Sequence, residues 1–302
     1  MFKVDDATVE QVLKKFNRTK KSLDEDVTTI EKWLQQQPHL LVPLDRRSIL
    51  NFLILNKTSV EKSKQKIDNY YTIRTHMREI YEEMNPELPH MKETRQILYF
   101  VPHPQLLDHR RVFLSKVRDQ GLVQNLDPYN ALRCAMNIHE MRLREDVLYG
   151  EIFIVDCSDF PLSYFLKVTP KYLVYNVMTI YKKIYSLRLH ALYFINFPSF
   201  GEKLITTMKT IIKPKIFERI HVLSDSKILK QVFSEDFLPE DFGGRGASLE
   251  KLQETLENEF KEHQEFFDDL ENFKVDEALR PEKLRNDELL GFYGNFRRLD
   301  ID

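Results

Sequence analysis

Two apolar runs without a charge, Ile152-Phe153-Ile154-Val155 and Ala191 to Ile195, flank a stretch of helical spacing from about Pro170 to Ser186. Continuous runs of this kind read as strands covered on both faces. Strand, long helix and strand in that order imply a right-handed crossover within a largely parallel sheet. The class is therefore α/β. Ile97 to Val101, closed by Pro102 and Pro104, is a further β-favouring run, Arg111 to Val117 alternates as another, and Ile220 to Leu223 reads as one more short strand. Helical spacing returns from Pro128 to about Val147 through Leu132, Met136 and Met141.

Upstream of these strands the pattern is helical, with Val9, Val12, Leu13 and Phe16, then Ile30, Trp33 and Leu34, at three and four spacing. Ile49, Leu50, Phe52, Leu53 and Leu55 make a helix apolar on most sides, and Ser59 is a good N-cap for a helix from Val60 to about Glu83. Phe200 to about Ile212 is amphipathic, and the chain is charged and helix-prone from Ser248 to about Phe267. Asp268 to Asp302 reads as a polar tail with scattered aromatics. The expected organisation is a helical module over 1–89, an α/β domain over 90–252 and a charged helical and polar tail over 253–302.

Chemistry finds little to stand on. With 45 Lys+Arg against 47 Asp+Glu the net charge is -2, so nothing global favours nucleic acid. Only 8 of 302 residues are Gly, and Gly243-Gly244-Arg245-Gly246 follows no strand and lacks the Lys-Ser/Thr ending of a phosphate loop, so it reads as a turn. His139-Glu140 would need a histidine at 143 for the zincin spacing, and that position is Leu. Cys134 and Cys157 are too few for a disulfide framework, and the acid-flanked Cys157 is a poor nucleophile. No metal, no cofactor and no enzymatic chemistry are expected. Uncharged stretches such as Leu189 to Gly201 fall short of a membrane span, and the N-terminus lacks a signal pattern, so a cytoplasmic protein is expected.

What stands out is an apolar and aromatic surplus around the sheet. Leu173, Val174, Val177, Met178, Ile180, Tyr181, Ile184 and Tyr185 cover more of their helix than one core-facing stripe. Core packing explains this, or else a second side of the helix lines a cavity for an apolar ligand. Alternation sets Phe153 and Val155 on one sheet face against Ile152 and Ile154, and Leu192 and Phe194 against Tyr193 and Ile195.

Four ordered segments resemble the CRAL-TRIO family, in its branch of α-tocopherol and retinaldehyde carriers. Gly150-Glu151-Ile152-Phe153-Ile154-Val155-Asp156 matches the family strand that ends in Asp. Phe194-Ile195-Asn196-Phe197-Pro198 with Phe200 is similar to its IN-x-P-x-x-F strand end, and Phe217-Glu218-Arg219-Ile220-His221 to its ERIH segment. Leu238-Pro239-Glu240-Asp241-Phe242-Gly243-Gly244 looks like its terminal signature. The likeness covers roughly Asp26 to Leu252. It departs at Asn51-Phe52-Leu53-Ile54-Leu55-Asn56-Lys57-Thr58, where the family's surface arginines are missing, and at Lys209-Thr210-Ile211, which replaces the Lys-Pro-Phe of the lid helix.

The resemblance implies an N-terminal helical module followed by an α/β sandwich with a mostly parallel sheet, an apolar pocket and a mobile lid helix. By similarity Phe153, Val155, Leu192 and Phe194 face the ligand. Phe160, Phe165, Val177, Ile180, Tyr181 and Ile184 form further wall, Leu132, Met136 and His139 a second side, and Leu204, Ile205 and Met208 the lid. His139 reads either as a hydrogen-bonding partner of the ligand or as a histidine satisfied in the core. By alignment Arg188, His190, Lys215 and Arg219 fall where the family binds a phosphoinositide headgroup, although solvated surface cations would look the same. The expectation is a non-enzymatic intracellular carrier of a small hydrophobic ligand, such as a retinoid, tocopherol or other isoprenoid, docking transiently on anionic membranes. The rival is a phospholipid-sensing adaptor whose charged tail recruits protein partners.

Overall fold

The computed structural model describes residues 1–168, 171–186 and 188–282, with backbone alone over 171–175. Pro170, the side chains of Leu173 and Val174, and the tail beyond 282 lie outside the described residues. The chain opens with helices α1 (Asp6–Lys14), α2 (Lys20–Leu34), α3 (Arg46–Leu55), α4 (Val60–His76) and α5 (Arg78–Tyr81). Asp5, Thr19, Asp45 and Ser59 each accept a hydrogen bond from the first turn of α1 to α4, pairing an N–H that has no partner within the helix. The helix expected from Val60 to Glu83 is broken at Met77, which leaves the helical region at φ -93° and ψ 61° before α5 begins. Helix α3 is buried nearly all round, with Ile49, Phe52, Leu53 and Ile54 in the core. Asn51 is buried too, so this position is not on the surface: its amide donates to the carbonyls of Leu143 and Asp146 and its oxygen accepts from the Leu148 N–H.

Helix α6 (Pro89–Ile97) leads into a five-stranded sheet in the order β1 (Leu98–Pro102), β2 (Arg111–Val117), β3 (Glu151–Asp156), β4 (Leu189–Ile195), β5 (Ile220–Val222). Only β1 is antiparallel to its neighbour, and the other pairs are parallel. The crossovers are α7 (Pro128–Glu145) between β2 and β3, α8 (Leu162–Val168) with α9 (Lys171–Ile180) between β3 and β4, and α10 (Glu202–Ile211) with α11 (Pro214–Phe217) between β4 and β5. Helix α9 continues into a π-helical turn, Tyr181–Tyr185, which Ser186 ends in the left-handed region at φ 44°. After β5 come α12 (Leu229–Val232), α13 (Leu249–Glu262) and α14 (Gln264–Asp269). The Gly243 to Gly246 segment is the expected turn. Gly243 sits at φ +79°, and a Cβ on Gly244 would stand 1.9 Å from the Leu238 carbonyl oxygen.

Two buried ionic groups fasten the helices to the sheet. Asp146, at the end of α7, receives Arg111 of β2 through Nε at 2.9 Å and Nη2 at 2.7 Å, and Arg142 Nε at 2.8 Å. Arg142 also pairs with Glu151 of β3, and Arg111 donates to the carbonyls of His103 and Pro104. The second group centres on Glu140, which accepts from Arg74 and Tyr70 of α4 at 2.7 Å each and from Tyr185 at 3.1 Å.

The C-terminal stretch departs from the polar-tail reading over residues 268–280. Arg74 donates to the Leu270 carbonyl at 2.9 Å, Phe273 stacks on Tyr71, and Val275 bridges Leu40. Arg280 holds Asp68 through two hydrogen bonds. Phe267, Leu270, Phe273 and Val275 are all buried, a spaced apolar set that the surrounding charges conceal.

Burial alone would raise the Asp146 carboxyl, but the charges and hydrogen bonds of Arg111 and Arg142 win and hold it below the usual carboxylate range. Its contribution to stability is therefore complete above the unfolded value of about 4 and fades as pH falls through the lowered folded value. Asp146→Asn is expected to cost about 3–5 kcal/mol near neutrality, because two buried guanidinium groups lose their shared anion. Urea titrations from about pH 7 down to about pH 3 check both parts: the parent should lose stability below about pH 4 more steeply than the variant.

Candidate functional site

As the middle strand of a covered sheet, β3 should bury both faces. Its Ile152 and Ile154 are 3% and 0% exposed, as coverage requires. Phe153 and Val155 point the other way and are only half-buried, and so are Leu192 and Phe194, their register partners on β4. Large apolar side chains at the centre of a sheet keep accessible surface only where the layer over them fails to close.

That layer is built from α7, the α9 segment, α8 and α10. From α7, Leu132 and Met136 join the main core together with Ile180, Tyr181 and Ile184, while Phe153 and Val177 pack against it half-buried. A second apolar cluster holds Phe160 and Phe165 with Val155, Phe194 and Leu204, and a third holds Met208 with Leu192, Phe194, Leu204 and Ile205. The wall residues named from sequence thus gather over one sheet face, but not equivalently. Met136, Ile180 and Ile184 are wholly enclosed by protein, whereas Phe153, Val155, Val177, Leu192, Phe194, Leu204 and Ile205 retain accessible surface.

His139 is buried, its ring stacked on Phe113 at 5.6 Å and set edge-on to Tyr181 at 5.3 Å. Nδ1 lies 2.8 Å from the Ala135 carbonyl, which can only accept, so Nδ1 carries the proton. Phe113 itself was not anticipated. It stacks on Phe153 at 4.9 Å as its direct register partner, and the signal for it was its parity on a strand whose neighbour was not known from sequence. Met178 and Phe197 were also passed over: Met178 touches both the main cluster and the α10 cluster, and the Phe197 ring lies 5.7 Å from Phe165 and 5.6 Å from Phe194.

Helix α10 begins beside these rings, and a Cβ on the preceding Gly201 would stand 2.6 Å from Phe197 and 2.9 Å from Phe165. Only glycine lets the chain pass so close. The helix runs through Lys209, Thr210 and Ile211 without a break and stops before Pro214. Leu162, Leu166 and Phe200 are 49%, 57% and 45% exposed on the outside of this region, with Phe200 5.4 Å from the Phe165 ring.

The four basic residues separate into two kinds. Arg188 is committed to the protein: it donates to the Ile54 and Leu55 carbonyls at the end of α3 and lies over the rings of Phe16 and Tyr149. Arg219 is half-buried and donates to the Leu189 carbonyl. His190 and Lys215 are exposed. Partial burial, then the neighbouring charges of Arg110 and Arg219, lower the His190 value and leave it neutral at pH 7.

Among the described residues no group of His, Cys, Asp and Glu could hold a metal ion, and no helix is long and apolar enough to cross a membrane. Both cysteines are buried, and burial pushes the Cys134 thiol up to about 11. Burial raises Cys157 as well, with Asp156 adding to it, so burial rather than the flanking acids is the larger cause.

Comparison with known proteins places this geometry. Residues 19–91 match a family model described as Pinta-like, UBA domain, and residues 92–244 match the CRAL/TRIO domain model. Clavesin-1 of Xenopus laevis is 22% identical over 246 residues, covering 78% of this chain and 72% of its own length. Alpha-tocopherol transfer protein-like of Mus musculus is 22% identical over 230 residues, covering 74% of this chain and 66% of its own length. A crystal structure of Sfh5 is similar at 17% identity with a TM-score of 0.48, covering 68% of this chain and 74% of that one. With the CRAL/TRIO model matching over residues 92–244, about half of the chain, the protein belongs to the CRAL-TRIO family of lipid-binding proteins.

Proposed function

We propose that the protein carries one small hydrophobic molecule, of the retinoid, tocopherol or isoprenoid kind, between the sheet face of β3 and β4 and the helices α9 and α10, without catalysis. The observation that carries this reading is the half-burial of Phe153, Val155, Leu192 and Phe194 at the middle of a covered sheet. Removing about 300 Å² of ligand surface from water there gains roughly 7–8 kcal/mol before ordering costs, enough for retention with few polar contacts. Release takes place at an anionic membrane. The exposed Lys215 and His190 supply the reachable charge, Arg219 adds what its carbonyl bond leaves free, and Arg188 holds the adjoining backbone.

Phe194→Asp is expected to abolish retention of an apolar ligand, since an unpaired carboxylate would be set against the chain it must hold. Native mass spectrometry of protein purified from its own cells reads this directly, with far-ultraviolet circular dichroism as the folding control. A folded variant that keeps its ligand would place the site elsewhere.

Docking has a different signature. Lys215→Ala should weaken association with phosphoinositide vesicles by about 1 kcal/mol, or roughly fivefold, at low salt and leave ligand affinity unchanged. Acidification from about pH 7 to about pH 5 should strengthen docking as His190 gains its proton, and His190→Gln should remove much of that gain. Vesicle co-sedimentation at several pH values tests both.

A further inference from the structure

Lys66 stands where α4 meets the π-helical turn, in surroundings that do not favour an ammonium group. Its Nζ donates to the Lys182 backbone carbonyl, and one turn further along α4 Asn69 donates to the Lys183 carbonyl at 3.1 Å. This face of α4 therefore lies against residues 182 and 183, both lysines, of which Lys182 is exposed and Lys183 half-buried. Among the described residues no carboxylate forms an ion pair with Lys66, whereas Lys64 on the same helix pairs with Glu61 at 2.8 Å. The Lys66 side chain is half-buried, but its bond to the carbonyl lies at the protein surface. The amine is thus held in position and still reached from solvent. Burial, then the like charges of Lys183 and Lys182, bring this lysine down to about 8.

A neutral amine has the lone pair that attacks a carbonyl carbon, and an ammonium group has none. The flanking cations also attract a donor that carries negative charge. Independently of what the pocket holds, we propose that Lys66 is a site of covalent acylation, with its amine as the nucleophile and an acyl thioester whose thiol carries phosphate groups as the donor. The Nζ lone pair adds to the thioester carbonyl carbon, the C–N bond forms, the C–S bond breaks and the thiolate leaves with the electron pair. The proton lost from nitrogen passes to the thiolate or to water, and nothing is oxidised or reduced. The product suits the joint. Its amide N–H still donates to the Lys182 carbonyl, while the charge opposed by Lys182 and Lys183 is gone.

The test incubates the full chain with acetyl-coenzyme A and follows each lysine by peptide mass spectrometry. At about pH 7.5 Lys66 should be acetylated about tenfold or more faster than the exposed Lys21 and Lys209, a lead that a larger share of free amine allows even though lower basicity weakens the nucleophile. The Lys66 rate should level off above about pH 8, where its amine is already free. A rate no higher than those of Lys21 and Lys209, or one that keeps climbing to about pH 10 as an ordinary lysine would, overturns the proposal. Lys182→Gln combined with Lys183→Gln removes the like charges and should slow Lys66 by about threefold or more at about pH 7.5. An unchanged Lys66 rate in that folded variant counts against the site, and if the variant does not fold, the rates on the unaltered protein decide alone. Repeating the reaction with an uncharged acetyl thioester should shrink the lead of Lys66 without abolishing it. A lead seen only with the charged donor means a surface that concentrates anions rather than an activated amine, and it too overturns the proposal.

Discussion

One carboxylate between two guanidinium groups organises the centre of this molecule. Asp146 is the last capping position of α7, and Arg111 and Arg142 reach it from β2 and from α7 itself. Its backbone carbonyl accepts from Asn51 and Arg47 of α3, so the same residue ties the N-terminal helices to the sheet. Removing either arginine would leave the buried anion with one counter-charge, and removing the anion would leave Arg111 without this carboxylate and Arg142 with Glu151 alone. The helix that supplies Leu132, Met136 and His139 to the site is held at its far end by this arrangement, which fixes how deep those side chains sit.

The second ionic group has a different reach. Glu140 collects Arg74 and Tyr70 from α4 and Tyr185 from the π-helical turn, and Arg74 passes the link on to the Leu270 carbonyl. Asn69 and Lys66 of α4 add bonds to the carbonyls of Lys183 and Lys182. The rear of the α9 segment is thereby anchored to the N-terminal helices and the C-terminal stretch. Helix α10, by contrast, has only one buried side chain among its own residues, Met208. The two elements lie side by side over one sheet face yet differ in attachment, one fastened by buried polar contacts and one resting on apolar packing that costs less to separate.

How much of this was legible in the sequence depends on how far away each residue's partner lies. The strands stood out because their signal is local: Ile152 to Val155 and Arg111 to Val117 carry alternation or apolar continuity within a few residues, and β4 differed only by beginning at Leu189. Parity placed Phe153, Val155, Leu192 and Phe194 on one face for the same reason. Phe113 was missed because its neighbour is 40 residues away in the chain, and nothing local says which strand lies beside it. Arg111, Arg142, Asp146 and Glu151 were passed over because an isolated charge in a sequence looks like surface until its counter-charge is found. Asn51 looked like a lost surface arginine, and its four partners there lie 91 to 97 residues further on. Arg188 was legible as a cation but not as one already engaged.

The docking of the C-terminal stretch on α4 has a consequence for how the chain is made. Arg280 bonds Asp68 across 212 residues, and Phe273 stacks on Tyr71. A ribosome adding roughly 5–20 residues per second would need about 10–40 seconds to travel from the one aromatic to the other. For that time the newborn N-terminal helices lack the partner that covers them, and loop closure over so long a contour is slow in its own right. The face of α4 that carries Tyr71 is accordingly a part of the nascent protein that needs shelter from premature association, and the arrival of Phe273 and Arg280 brings that exposure to an end.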